Sequence, residues 1–363
     1  MDKIYWIWLM SLKQIGNSTR NKLLDYFDSP EEIFHCTRED LNEIKGLKSQ
    51  QKESILSQKD LKLAEKAECF MKKHQICLIT RDDDFFPQDL KEIYNPPAAF
   101  FTKGNLELLN APLRIGIVGS RKASPGGLAQ GRRISRELSQ NGVTVVSGFA
   151  AGIDRSGHEG ALEGIGSTIA VLGCGINICY PKSNQELYHN ILKNNGLVLT
   201  EFFMDEPPIA FHFPLRNRII SGLVQGLLVV EAAEKSGALI TARHALEQGK
   251  NVYAIPKDIS LFQSVGSNNL IKDGAKVVTR TEDILEDYIH LLKEKRTEEF
   301  SAPNQTELSS EEAEIVNLIK NGQNNIDNLV QITGKNISEI NSLLSILELK
   351  DVISIDYGKI TLL

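Results

Sequence analysis

The chain has no run of apolar residues long enough to cross a bilayer. Its apolar burst near the start, in "MDKIYWIWLMSLKQIG", is brief, and charged helical sequence follows it where a signal peptide would carry a small-residue cleavage site. No membrane insertion is expected, and the reading is cytoplasmic. Cysteine is scarce. The five, Cys36, Cys69, Cys77, Cys174 and Cys179, form no CxxC pair and have no histidine partners at metal-ligand spacing. That argues against a disulfide scaffold or a metal site and suits free thiols in a reducing cytosol. A GxxxxGK[ST] loop is missing, which argues against nucleotide hydrolysis of that type. "GCGINI" keeps only the first two glycines of a dinucleotide fingerprint, with Ile178 in the third position, so no cofactor is expected. An excess of positive charge is missing too: 41 Lys and Arg face 47 Asp and Glu, for a net charge of -6. A surface coated in basic residues is thereby excluded. A local basic pocket is not, because counterion release depends on the charges at the contact.

What is present is a soluble globular composition, 41% apolar and 24% charged, over 363 residues, enough for two or three domains. Residues 1–70 read as a helical, helix-hairpin-helix-like domain. "LKQIGNSTRNKLLDYF" and "LNEIKGLKSQQKESIL" echo each other, each a Leu, a Gly, a polar turn and an amphipathic helix. Gly16 and Gly46 are the expected turn residues. Such hairpins either hold nucleic-acid backbone through their turns or simply pack.

Residues 71–290 alternate apolar strands with amphipathic helices. Strands are expected over 76–80, 113–120, 143–148, 168–173, 196–201, 226–232, 251–256 and 275–279. Several are near-continuous runs of Val, Ile and Leu, as strands covered on both faces require. The expected fold class is α/β, a Rossmann-like doubly wound, mostly parallel sheet. Residues 291–307 are polar and charge-dense and read as a linker. Residues 308–363 offer three helical segments and two short strands with a Tyr-Gly turn, the winged-helix pattern.

Three strands lead into loops of small residues and then a helix. The first loop carries Gly119, Ser120, Arg121 and Lys122; the second is "GFAAGIDRSGHEGAL"; the third carries Lys235, Ser236 and Gly237. In an open parallel sheet such loops converge at the carboxyl ends of the strands. Small residues let the backbone approach a ligand, and helix N-termini offer amides to an anion. The implied ligand is a phosphate-bearing chain or nucleotide. No Ser/His/Asp signature accompanies Ser120 or Ser236, so no catalytic residue is assigned. Asp154 is read as a helix cap and His158 as a packed histidine.

In "HFPLRNRIISGL", Phe213-Pro214 reads as a turn into a helix, with Arg216 and Arg218 in its first turn. Cations there oppose the helix dipole, so an anion is expected beside them. The alternative is pairing with carboxylates such as Glu201 or Glu231.

The series "GSR", "SGFAAGIDRSGHEGAL", "YPKSN", "FPLRNRIISGL", "VVEAAEKSGALITARHALEQGKNVYAIP" and "GSNNLIKDGA" resembles the DNA-processing protein A (DprA/Smf) family. "FPQDLKEIYNPPAAFFTKGN" is also similar to that family's approach to its core. The resemblance implies a protein without catalytic activity that binds single-stranded DNA and hands it to the RecA recombinase. It further implies help in displacing single-strand-binding protein, a homodimer formed through the core, and service in natural transformation. By motif matching, the DNA-binding residues would be Gly119, Ser120, Arg121, Lys122, Arg216, Asn217, Arg218, Lys235, Ser236 and Gly237. Two departures stand out. Ala151 occupies a position usually basic in the family, and Pro256-Lys257 replaces the usual Pro-Gly.

Two other readings compete. A phosphoribohydrolase-like enzyme would need a "PGGxGTxxE" loop, which "KSGALITARHALE" lacks. A winged-helix transcriptional regulator would need a basic reading helix, and "NISEINSLLSILELKDV" contains no arginine. A protein-contact or stabilising module is the expectation for that C-terminal part.

Overall fold

The computed structural model describes residues 3–292, 309–320, 322–349, 352–356 and 359–362. They fall into two compact units, one within Met1–Leu292 and one within Lys293–Leu363. The first begins with six helices: α1 (Lys3–Ser11), α2 (Asn17–Tyr26), α3 (Pro30–His35), α4 (Arg38–Glu43), α5 (Ser49–Ser57) and α6 (Lys62–His74). Ser29 and Thr37 cap α3 and α4 by accepting from the backbone amides of Glu32 and Asp40.

A nine-stranded sheet follows, in the order β1-β2-β6-β5-β4-β3-β7-β8-β9. Its strands are β1 (Cys77–Thr80), β2 (Ala99–Gly104), β3 (Arg114–Val118), β4 (Thr144–Ser147), β5 (Thr168–Val171), β6 (Leu197–Thr200), β7 (Gly226–Val229), β8 (Asn251–Ala254) and β9 (Lys276–Val277). All eight strands expected from the apolar runs are present, trimmed at their ends. β2 was not among them: it lies in the stretch Phe86–Asn105, which was read only through its resemblance to the family's approach to its core. It pairs antiparallel with β1 and β6, while β6 through β9 are joined by parallel pairings. Every residue of β4, β5, β6 and β7 is buried, which explains why their sequences do not alternate.

From β3 the chain steps outward through β4, β5 and β6, then returns to place β7 on the other side of β3. This reversal opens a crevice at the carboxyl ends of β3 and β7. The helices that frame it are α8 (Pro125–Gln140), α9 (Ile153–Ala161), α11 (His212–Gly222) and α12 (Gly237–Glu247); α7 (Gln88–Lys91) precedes β2, α10 (Gln185–Lys193) precedes β6 and α13 (Val265–Lys272) precedes β9. The N-terminal helices share one buried cluster with the sheet: Trp6, Trp8, Leu23 and Ile33 belong with Phe101, Ala170 and Val198.

The second unit has helices over Ser310–Lys320, Ile326–Thr333 and Ile337–Leu349 and an antiparallel hairpin, Ile353–Asp356 with Lys359–Leu362. Ile315, Leu329, Ile340, Leu344 and Ile360 form its own core. This is the winged helix. The expected Tyr-Gly turn, and the expected linker beyond Leu292, lie outside the described residues.

Candidate functional site

Three loops of the sheet, after β3, β4 and β7, meet over the crevice and are tied backbone to backbone. The Ser120 amide donates to the Glu231 carbonyl at 2.7 Å, and the Ile153 amide to the Ser120 carbonyl at 3.2 Å. Where the β4 loop crosses the β3 loop, Gly152 has φ +81, and a Cβ there would collide with the Ser120 carbonyl. Only glycine satisfies both demands. Among the described residues no arginine binds Glu231. Its carboxylate accepts from the Ser124 amide at 2.9 Å and the Ser124 hydroxyl at 2.5 Å, while Ser124 caps α8. A buried carboxylate thus fastens the β7 loop to the helix that follows β3.

The space above these loops is an open cavity of about 950 Å³. Its wall includes Gly119, Ser120, Arg121, Lys122, Arg216, Asn217, Lys235, Ser236 and Gly237, so nine of the ten residues singled out from sequence are brought together. Four cations face it, against the carboxylates Asp154 and Glu234. Arg121, Lys122 and Lys235 are exposed. Ser236 caps α12 by accepting from the Ala238 amide, which aims the N-terminal end of that helix at the cavity.

Arg216 is of a different kind. It is buried, and its Nη1 donates to the carbonyls of Gly148 and Val171. Burial lowers its pKa to about 10, against the opposing pull of Asp154. Asp154 in turn is pushed up by burial and held down by Arg216 and Arg121. A Cβ on Gly148 would lie 2.7 Å from both Arg216 Nη2 and Asp154 Oδ2, so the bare glycine makes room for the pair. Asn217 orders this corner: its Oδ1 accepts from Arg216 Nε at 3.2 Å, and its Nδ2 donates to the Gly237 carbonyl at 3.4 Å.

Arg218 is the residue the structure leaves out of the cavity. Its guanidinium makes a bidentate pair with Glu201, at 2.9 and 2.6 Å, and also donates to the Asn95 carbonyl. Both partners are buried. Of the two alternatives for this arginine, the carboxylate pairing with Glu201 is the one observed. Nor do the arginines sit in a first turn. The helix begins at His212, so both fall in its second turn, where the dipole argument loses most of its force.

Sequence reasoning missed the aromatic side chains. Phe213, Tyr180 and Phe262 line the cavity. The Arg121 guanidinium lies 5.1 Å from the Phe213 ring centroid, and the Tyr180 and Phe213 rings are 5.7 Å apart. The signal was available as aromatics beside "YPKSN" and "FPLRNR". Asp154 is not the cap it was expected to be: α9 starts at Ile153 with Gly152 at its N-cap, and the Asp154 carboxylate, inside the first turn, accepts from the Ala150 amide at 3.3 Å and faces the cations. His158 is packed as expected, its Nδ1 2.7 Å from Thr168 Oγ1.

The two departures add no charge to the wall. Ala151 supplies none, and Arg155 pairs with Glu159 at 2.7 Å. Lys257 turns inward to Gln130 and lies 4.0 Å from Glu231. Among the described residues no cluster of His, Cys, Asp and Glu could hold a metal ion, and no helix is long and apolar enough to cross a membrane.

Residues 77–289 match the family model described as DNA recombination-mediator protein A, and residues 299–359 match the DprA winged helix domain. Protein Smf of Escherichia coli is 35% identical over 352 residues, 96% of this chain and 92% of that protein. The X-ray structure of DNA processing protein A from Streptococcus pneumoniae aligns with TM-score 0.67 and 36% identity, covering 78% of this chain and 97% of that one. A Helicobacter pylori DNA processing protein A structure, described by its single-stranded DNA binding mode, aligns with TM-score 0.53 and 29% identity, covering 60% and 96%. With its sheet, its cavity loops and its winged helix all accounted for by these matches, the chain belongs to the DNA processing protein A (DprA/Smf) family.

Proposed function

We propose that this chain binds single-stranded DNA in the crevice and delivers it to the RecA recombinase, displacing single-strand-binding protein without catalysing a reaction itself. The observation that carries the reading is the convergence of Arg121, Lys122, Arg216 and Lys235 on one open cavity of an otherwise acidic chain. Phosphates neutralise such a group, and the neighbouring aromatic rings offer faces on which unpaired bases stack without regard to sequence. The Helicobacter pylori relative, described by its single-stranded DNA binding mode, supports the same ligand. A cytoplasmic homodimer formed through the core, acting in natural transformation, completes the proposal.

Binding should be sensitive to salt and nearly indifferent to base sequence. Arg121→Glu and Lys235→Glu should each weaken it and lower the salt slope by about one. Affinity unchanged in both variants would remove the crevice from the account. The recombinase step is tested separately. On single strands precoated with single-strand-binding protein, the chain should shorten the lag before RecA filaments form; an unaltered lag refutes delivery while leaving DNA binding intact.

A further inference from the structure

The N-terminal helices hold a repeat that the crevice does not use. Gln14 and Gly46 both have positive φ, 63° and 78°. Each follows its preceding helix by three residues and comes three before the next: Ser11, Gln14, Asn17 in the first turn; Glu43, Gly46, Ser49 in the second. The residue after each is buried, Ile15 and Leu47. The residues before α2 and α5, Gly16 and Lys48, share an extended conformation, φ -78° ψ 169° and φ -74° ψ 150°. The sequence echo therefore aligns Gly46 with Gln14 rather than with Gly16, and two hairpins of the same backbone form stand side by side. Gln51 on α5 donates to Thr19 on α2 at 2.8 Å, and Ser54 on α5 donates to the Lys13 carbonyl.

The two hairpins are not equally available. The first is sealed against the sheet: Asn17 Nδ2 donates to the Pro96 carbonyl at 2.7 Å, its Oδ1 accepts from the Ala98 amide at 2.9 Å, and Asn21 donates to the Pro96 carbonyl at 2.8 Å. The second is open and basic. Lys45 and Lys48 are exposed on its turn, and Lys22 of α2 brings its Nζ to 3.0 Å from where a Gly46 Cβ would sit. Among the described residues these three lysines make no ion pair. The nearby acids are engaged elsewhere, Glu43 with the Tyr26 hydroxyl and Glu53 with Arg38.

We propose that this second hairpin, with Lys22, Lys45 and Lys48, docks the phosphate backbone of double-stranded DNA at a site separate from the crevice. The patch offers point charges on a turn whose apolar residue, Leu47, is buried, and the one exposed ring beside it, Tyr26, is tied down through its hydroxyl to Glu43 and by an edge contact with Phe27, so charge and not base stacking dominates the surface. Duplex DNA instead displays phosphates at about one charge per 1.7 Å with its bases turned inward, which is what a small lysine cluster can hold.

The test compares the full-length chain with Lys22→Gln/Lys45→Gln/Lys48→Gln, and with Lys45→Glu/Lys48→Glu as a second variant. Binding to a blunt duplex and to an oligo-dT strand is measured across a salt series, with thermal melting to confirm folding. The variants should lose about tenfold or more in duplex affinity, with the duplex salt slope falling by about 2 to 3, while oligo-dT affinity stays within about twofold. A wild-type chain that binds oligo-dT but not duplex, or variants that keep full duplex affinity, would overturn the second site and leave the crevice standing. An equal loss on both probes would also overturn it, since the lysines would then serve one shared surface.

Discussion

Arg216 and Arg218 lie two residues apart, yet the fold gives them opposite tasks. Arg218 is spent on a buried bidentate pair with Glu201, so Arg218→Ala should strand a buried carboxylate and cost about 3–5 kcal/mol of stability. That is measured by urea denaturation; a loss below about 1 kcal/mol would mean the pair is better solvated than its burial implies. Nothing local in "RNR" separates the two. The difference comes from Glu201 and Asn95, which are distant in sequence and adjacent only in the fold. His158 carries a second prediction. Burial, and then Arg216, push its pKa down to about 3, whereas in the unfolded chain it titrates near 6.5. Between these values the unfolded state binds the extra proton. Its contribution to stability is therefore present above pH ~6.5 and is lost as pH falls toward 3. His158→Gln should flatten the decline in unfolding free energy between pH 7 and pH 4.5. Parallel curves for the two proteins would show that another group governs it.

Among elements, the loops after β3, β4 and β7 act as one assembly. Gly152 is the point where two of them touch. Gly152→Ala should destabilise the chain by about 1–3 kcal/mol and, where it still folds, weaken single-strand binding by moving Ser120 and Arg121. Full stability together with full binding would show that the loops tolerate separation. The strands and the small-residue loops were legible because apolar runs and glycines are local signals. Strand β2 was not, since its place between β1 and β6 depends on antiparallel pairing with residues far along the chain. The start of α11 was misplaced by two residues because Pro214 marks an early helical position without saying which. The internal echo was legible too, but its register was not: Gln14 in a left-handed conformation is invisible to a search for glycine.

For the molecule as a whole, strand order explains why nine of the ten residues chosen from sequence converge. The chain reverses direction at β3, and the loops that carry them are the ones opening onto that reversal. The winged helix has a core of its own. A chain ending at Leu292 should therefore fold and bind oligo-dT within about threefold of the full chain, since among the described residues none that lines the crevice lies beyond Phe262 and losses confined to peripheral contacts are small; a collapse in affinity would assign the C-terminal unit a direct share of the single strand. Net charge read over the whole chain hides the crevice, because 47 acids outnumber 41 Lys and Arg along the sequence, whereas among the described residues four cations against two carboxylates share one wall. The most direct test of that central claim is the salt dependence of oligo-dT binding. Three to four neutralised phosphates predict a slope of log K against log salt of about -2 to -3, and Arg121→Glu/Lys235→Glu should bring it towards -1. A wild-type slope near zero, or a slope the double variant leaves unchanged, would contradict phosphate binding in the crevice.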